Sequence, residues 1–126
     1  MSRAVAGILR RKAQGDLNAA VVLAKADPPM DDETVGLHLQ QAVEKAAKAL
    51  LAEREIKYPF SHDISLLLRL LTDHGCPVPA RFADLDMLTP FATQARHERA
   101  IPPGCFDRAA SIDLIQDFFA WAKNAR

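Results

Sequence analysis

Five polar residues, His38, Gln41, Glu44, Lys45 and Lys48, recur at spacings of three and four between positions 38 and 48. At about 100° per residue, a helix gathers them on one arc and turns Leu39, Ala42, Val43, Ala46, Ala49 and Leu50 the other way. Such a stripe can line a groove in which Lys neutralises phosphate and Gln pairs with a base or sugar. It reads equally as a solvated helix face, with Glu44 and Lys48 forming an i,i+4 pair worth about 0.2–0.5 kcal/mol. Periodicity leaves both readings open.

The other chemistry-bearing residues are scattered. His62 and Asp63 suit an acid–base pair, or the first turn of a helix, where Asp63 accepts from exposed amides. Arg96 precedes the loop Ile101-Pro102-Pro103-Gly104 and suits either a phosphate or the cationic end of a helix. His97, Glu98 and Arg99 extend it into a charge cluster that serves the same site, a partner surface, or solvent alone. Arg69 and His74 have an Arg-x4-His spacing, but on a helix they diverge by about 140°, which makes the match a coincidence. The four His lie without the short spacing of a metal site, so no metal and no cofactor is expected. Cys76 and Cys105 form no CxxC pair and read as reduced thiols rather than a zinc site or disulfide framework.

The elements that must position these residues are all helical. A first helix is predicted from Ser2, as cap, to about Lys25, with Val5, Ile8, Leu9, Leu17, Ala20, Val21 and Ala24 near one face. Asp27-Pro28-Pro29 ends it. A second helix is predicted from about Asp32 to Lys57, opened by acidic residues that suit the positive end of its dipole. Ser61 caps a third, from His62 to His74, closed by Gly75; its leucines make it the expected central core helix. A fourth helical region, Ala80 to about His97, is divided at Thr89-Pro90, with Leu88, Phe91, Ala92 and Ala95 inward. The last helix runs from about Phe106 to Lys123 and carries Ala110, Leu114, Ile115, Phe118 and Trp121, the aromatics being core or dimer interface before any base-stacking role. Nothing alternates as a strand. The expected fold is all-α, an antiparallel up-and-down bundle of four to five helices.

With 126 residues, 49% hydrophobic and 25% charged, the chain suits one ordered domain, residues 1–126, with a single core. Sixteen Lys and Arg balance sixteen Asp and Glu, so no global positive field captures nucleic acid and any RNA contact is local. The apolar run Ala19 to Ala24 falls short of the roughly 20 residues a bilayer needs, and no secretory signal precedes it. A cytoplasmic protein with no membrane contact is expected.

Three segments in order resemble the HEPN family (higher eukaryote and prokaryote nucleotide-binding). They are Leu39-Gln40-Gln41-Ala42-Val43-Glu44-Lys45-Ala46-Ala47-Lys48-Ala49-Leu50, Ser61-His62-Asp63-Ile64, and Leu88-Thr89-Pro90-Phe91 through Ala95-Arg96-His97. The first is the most specific, matching the family's QAxEKxxKA pattern. The resemblance implies a four- or five-helix bundle that forms a homodimer and is tied to nucleotides, RNA or a partner minimal nucleotidyltransferase, often as the toxin half of a toxin–antitoxin pair. RNA-cleaving members carry Arg, four to six residues, then His, with the Arg on phosphate and the His moving a proton. Here Arg96 is followed at those positions by Ile101, Pro102 and Pro103, so the signature is absent at its place. His97 stands where related sequences carry Tyr in an ARYP-like segment.

The leading expectation is thus a nucleotide- or RNA-binding module whose ligand residues are His38, Gln41, Glu44, Lys45, Lys48, His62 and Asp63. A metal-independent ribonuclease using Arg96 with His97, or with a His from across a dimer, is the enzymatic alternative. A non-catalytic interaction domain is the third.

Overall fold

The computed structural model describes residues 2–93 and 106–125. Among them lie α1 (Ser2–Lys25), α2 (Asp32–Glu53), α3 (Ile64–Asp73), a 3-10 segment (Ala80–Leu88), α4 (Thr89–Thr93) and α5 (Arg108–Asn124), and no strand. The fold is all-α, as the periodicity predicts. The Ser2 side chain expected as a cap falls outside the described residues.

α1 and α2 form an antiparallel pair, pinned by Arg10 on Glu53 at 2.8 Å and Lys45 on Asp16 at 2.6 Å. The face α1 turns inward is Ala6, Ala13, Leu17 and Ala20, while Val5 and Ile8, expected inside, are 38% and 45% exposed. Small side chains let the two helix backbones approach closely, so this contact selects alanines over larger apolar residues.

α2 begins where Asp31 accepts from the Thr34 amide at 2.7 Å. It ends at Glu53, four residues short of the predicted Lys57. Glu55 adopts a left-handed φ of 58°, and the Ile56 and Glu55 amides return to the Leu51 and Ala52 carbonyls at 2.8 and 3.1 Å. This is a Schellman closure with buried Ile56 as its apolar contact. The central helix is α2 rather than the leucine-rich α3, since α1, α3, α4, α5 and the 3-10 segment all pack on it. α3 has only 10 residues and buries Ile64, Leu67, Leu68 and Leu71.

From Ile56 the chain returns along α2 as extended backbone, reaching the level of Gln40, whose Nε2 donates to the His62 carbonyl at 3.3 Å. α3 then runs parallel to α2 and closes at Gly75, φ 87°, as expected. The up-and-down alternation is therefore kept, with one leg, residues 56–63, extended rather than helical. At the far end the Arg54 guanidinium donates to the carbonyls of Gly75 at 3.2 Å and Ala125 at 3.0 Å, joining the C-terminal ends of α2, α3 and α5.

The helical region expected from Ala80 begins as a 3-10 segment, in which Phe82, Leu85 and Leu88 are buried at intervals of three, the repeat of a 3-10 turn. The break at Thr89-Pro90 falls where expected. Phe91 packs on Gly36, where an added Cβ would lie 2.4 Å from the ring, and against Phe106 at 5.0 Å between centroids. α5 starts on Asp107, whose side chain accepts from the Ala110 amide at 3.0 Å. Arg108 ties that end to Asp32 and to the Met30 carbonyl. Phe118 is buried, meets Phe82 edge-on at 5.2 Å and stacks on the partly buried Trp121 at 5.7 Å, while Trp121 also touches Phe82 at 5.8 Å, a core role for both aromatics. Among the described residues no helix is long and apolar enough to cross a membrane.

Candidate functional site

Most of the α2 circumference is covered. A strip that reaches the surface runs through Thr34, His38, Gln41, Lys45, Lys48 and Ala52, each half-buried and three or four residues from the next. This is the predicted polar stripe, except that Glu44 is turned inward and only 7% exposed. The stripe is not a plain solvated face: its cations are drawn sideways onto carboxylates.

On the α1 side, Asp16 accepts from Lys45 Nζ at 2.6 Å and lies 3.2 Å from His38 Nδ1. On the other side, Glu44 accepts from Lys48 Nζ at 2.9 Å and Gln40 Nε2 at 2.8 Å, and lies 2.8 Å from His62 Nδ1. Each carboxylate therefore joins one Lys and one imidazole. An ionised carboxylate beside Nδ1 fixes the proton on that nitrogen and leaves Nε2 outward, as donor when the ring is charged and acceptor when neutral. His38 and Glu44 are six positions apart on α2, about 120° around its axis and about 9 Å along it. The two imidazoles therefore flank the strip and serve separate contacts rather than one bond.

Burial pushes the Glu44 carboxyl toward its neutral form, yet the hydrogen bonds from Lys48, Gln40 and His62, with the Lys48 charge, outweigh it and hold the group below the ordinary carboxylate range. A buried charge with three donors is a rigid anchor. It fixes the extended leg, which presents Tyr58, Phe60 and His62 beside the strip. Lys48 Nζ lies 5.9 Å from the Tyr58 ring centroid and 5.8 Å from that of Phe60. Phe60 meets the His62 ring edge-on at 5.7 Å and is nonetheless 95% exposed.

The structure thus brings His38, Gln41, Glu44, Lys45, Lys48 and His62 to one region. It separates His62 from Asp63, because Asp63 caps α3 by accepting from the Leu66 amide at 3.2 Å while His62 turns to α2. Ser61, the expected cap, instead accepts from the Asp63 amide. Arg96 and His97 lie outside the described residues, as do Cys105 and the Ile101-Pro102-Pro103 stretch. His74 closes α3 and bonds the Leu70 carbonyl at 2.9 Å, in keeping with a helix-end role. Among the described residues no group of three or more potential metal ligands occurs, and Cys76 is free and buried.

Asp16, Gln40, Tyr58 and Phe60 were not marked by the stripe. Gln40 is 1% exposed although it sits among polar residues, and Asp16 belongs to another helix. Phe60 had one available signal: a large aromatic between Pro59 and Ser61, outside any helical period, has no helix face on which to be buried.

A family model described as the HEPN domain matches residues 6–124, nearly the whole chain. No curated protein and no solved structure matches the chain.

Proposed function

We propose that this chain, which belongs to the HEPN domain family and hence to a nucleotide- or RNA-related group that includes nuclease-like members, binds a nucleotide or a short single-stranded RNA segment on the α2 strip and the extended leg beside it. The observation that carries this reading is Phe60, a ring 95% exposed yet oriented by Lys48 and His62. An aromatic face held in solvent beside Lys48 and the His62 ring suits a stacked base, with the imidazole available to phosphate. His62 and His38 would supply outward Nε2 atoms, and Gln41, between the two networks, would contact base or sugar. Lys45 and Lys48 are already engaged by carboxylates, so they tune the local potential and support the imidazoles more than they grip phosphate directly.

In this reading the protein is a cytoplasmic homodimer working beside a minimal nucleotidyltransferase, as one half of a toxin–antitoxin-type pair. Asp63 supports the site by starting α3 where His62 ends. Calorimetric titration with nucleotides and a single-stranded RNA oligomer tests binding, light scattering after gel filtration tests the dimer, and co-purification with the product of an adjacent nucleotidyltransferase gene tests the pairing. Absence of binding would remove the site reading, and absence of the partner would remove the pairing.

One observation favours a second reading, RNA cleavage. Carboxylate-bound imidazoles with a free Nε2 are suited to proton transfer, and Arg96 and His97 would add a phosphate contact and a second proton carrier. Cleavage of labelled RNA by wild type, with loss in Arg96→Ala, His97→Ala or His62→Ala, supports it. Equal cleavage in all four proteins overturns it.

A further inference from the structure

On the flank of α1 away from the Asp16 network, α1 and α5 both lean on α2 and touch one another little. Two adjoining clefts of ≈ 360 and ≈ 480 Å³ lie between them and share Gln14 and Phe119. Together they run along α1 from Arg10 to Val22, a rise of about 18 Å over twelve steps, or three turns of helix. The floor is apolar and built largely of small side chains, with Ala13, Ala46, Leu50 and Phe119 along it. Val22, at one lip, is 68% exposed.

The charge of this cleft is one-sided. The chain as a whole carries equal numbers of acidic and basic residues. No Asp or Glu lines either cleft, and the charged lining residues are Arg10 and Lys123, both at one end. Arg10 is partly neutralised by Glu53, which leaves Lys123 as the main charge there. The opposite end carries neutral Asn18 and Gln116.

We infer that the α1–α5 cleft docks an amphipathic helix of a protein partner, apolar on one face and acidic in its C-terminal turn. The length fits anchors at i, i+3 or i+4, and i+7, the spacing by which a helix fills a groove. The alanine floor admits large side chains from that helix. Its negative dipole end and acidic side chains meet Arg10 and Lys123, which sets its direction parallel to α5. This surface is separate from the α2 strip and does not depend on nucleotide or RNA binding there.

The test uses the full chain and a fluorescein-labelled peptide of about 14 residues, enough for three turns and caps, with Leu at the anchor spacing and Glu in its last turn. The expected result is saturable anisotropy, at least tenfold tighter than for the same peptide with Lys in place of Glu. Ala120→Trp, which fills the cleft from an exposed position, removes binding, and Lys123→Glu reverses the Glu-over-Lys preference. Circular dichroism checks that both variants are folded, and RNA titration of both remains as in wild type. Equal affinity for the two peptides overturns the proposal, as does binding that neither variant changes. A dimer of this chain that Ala120→Trp splits, without any peptide binding, assigns the cleft to a second copy and also overturns it.

Discussion

Glu44→Ala is the perturbation whose cost the structure defines best. The carboxylate is 7% exposed and receives Gln40 at 2.8 Å, Lys48 at 2.9 Å and the His62 ring at 2.8 Å. Its removal strands a Lys48 side chain that is 11% exposed and a Gln40 that is 1% exposed. Removing one partner of a buried ion pair costs about 3–5 kcal/mol. Water still reaches the edge of this network through His62, 44% exposed, so the expected loss is about 2–4 kcal/mol. Glu44→Gln keeps the volume but trades charged for neutral hydrogen bonds, at a cost of about 1–2 kcal/mol. Adding Lys48→Met to Glu44→Ala removes the stranded cation and restores about 1–2 kcal/mol. Urea unfolding measures all three. The Glu44 carboxyl lies below its ordinary 4.5 in the folded chain, so its stabilisation is fully present above that value and is lost as pH falls through the folded one. The gap between wild type and Glu44→Ala therefore persists at pH 5 and narrows below 4.5. A gap under about 0.5 kcal/mol at neutral pH, within the range of ordinary surface changes, would refute this reasoning, as would one unchanged at pH 3.

Gly36→Ala places a methyl 2.4 Å from the Phe91 ring, and overpacking of that kind costs about 1–3 kcal/mol in thermal or urea unfolding; Phe91→Leu in the same chain recovers part of it. Glu55→Gly relieves a left-handed backbone at φ 58° and raises stability by up to about 1 kcal/mol in the same assay, since glycine adopts that region without a Cβ clash. Arg54→Ala breaks two bonds that hold the C-terminal ends of α3 and α5 and lowers stability by about 1–2 kcal/mol, with hydrogen exchange accelerated at Ala125 and in the last turn of α3.

The elements whose evidence is local were legible. Asp27-Pro28-Pro29 and Gly75 end helices because proline lacks a donor and glycine tolerates positive φ, and α1, α3 and α5 follow from apolar periodicity. The early end of α2 was hidden because Glu55 does the work of a C-terminal glycine. The helical region from Ala80 is legible as helix, and its 3-10 form lies in the three-residue repeat of Phe82, Leu85 and Leu88. The inward face of α1 was misjudged because side-chain size points to Val5 and Ile8, whereas close packing on α2 selects alanines. At the site, spacing gathered His38, Gln41, Lys45 and Lys48 correctly on one strip. It had no means of showing that Asp16 and the extended leg supply the carboxylate and imidazole that complete the two networks, since those contacts join residues far apart in the chain.

The central claim is that the α2 strip and Phe60 bind a nucleotide or RNA base. Calorimetric titration of a single-stranded RNA oligomer into wild type and Phe60→Ala tests it most directly, because a ring 95% exposed contributes little to folding and the variant keeps wild-type stability. Base stacking on an aromatic ring is worth about 1–3 kcal/mol, so affinity should fall by about 5- to 150-fold. No binding by wild type, or equal binding by the two proteins, would contradict the account.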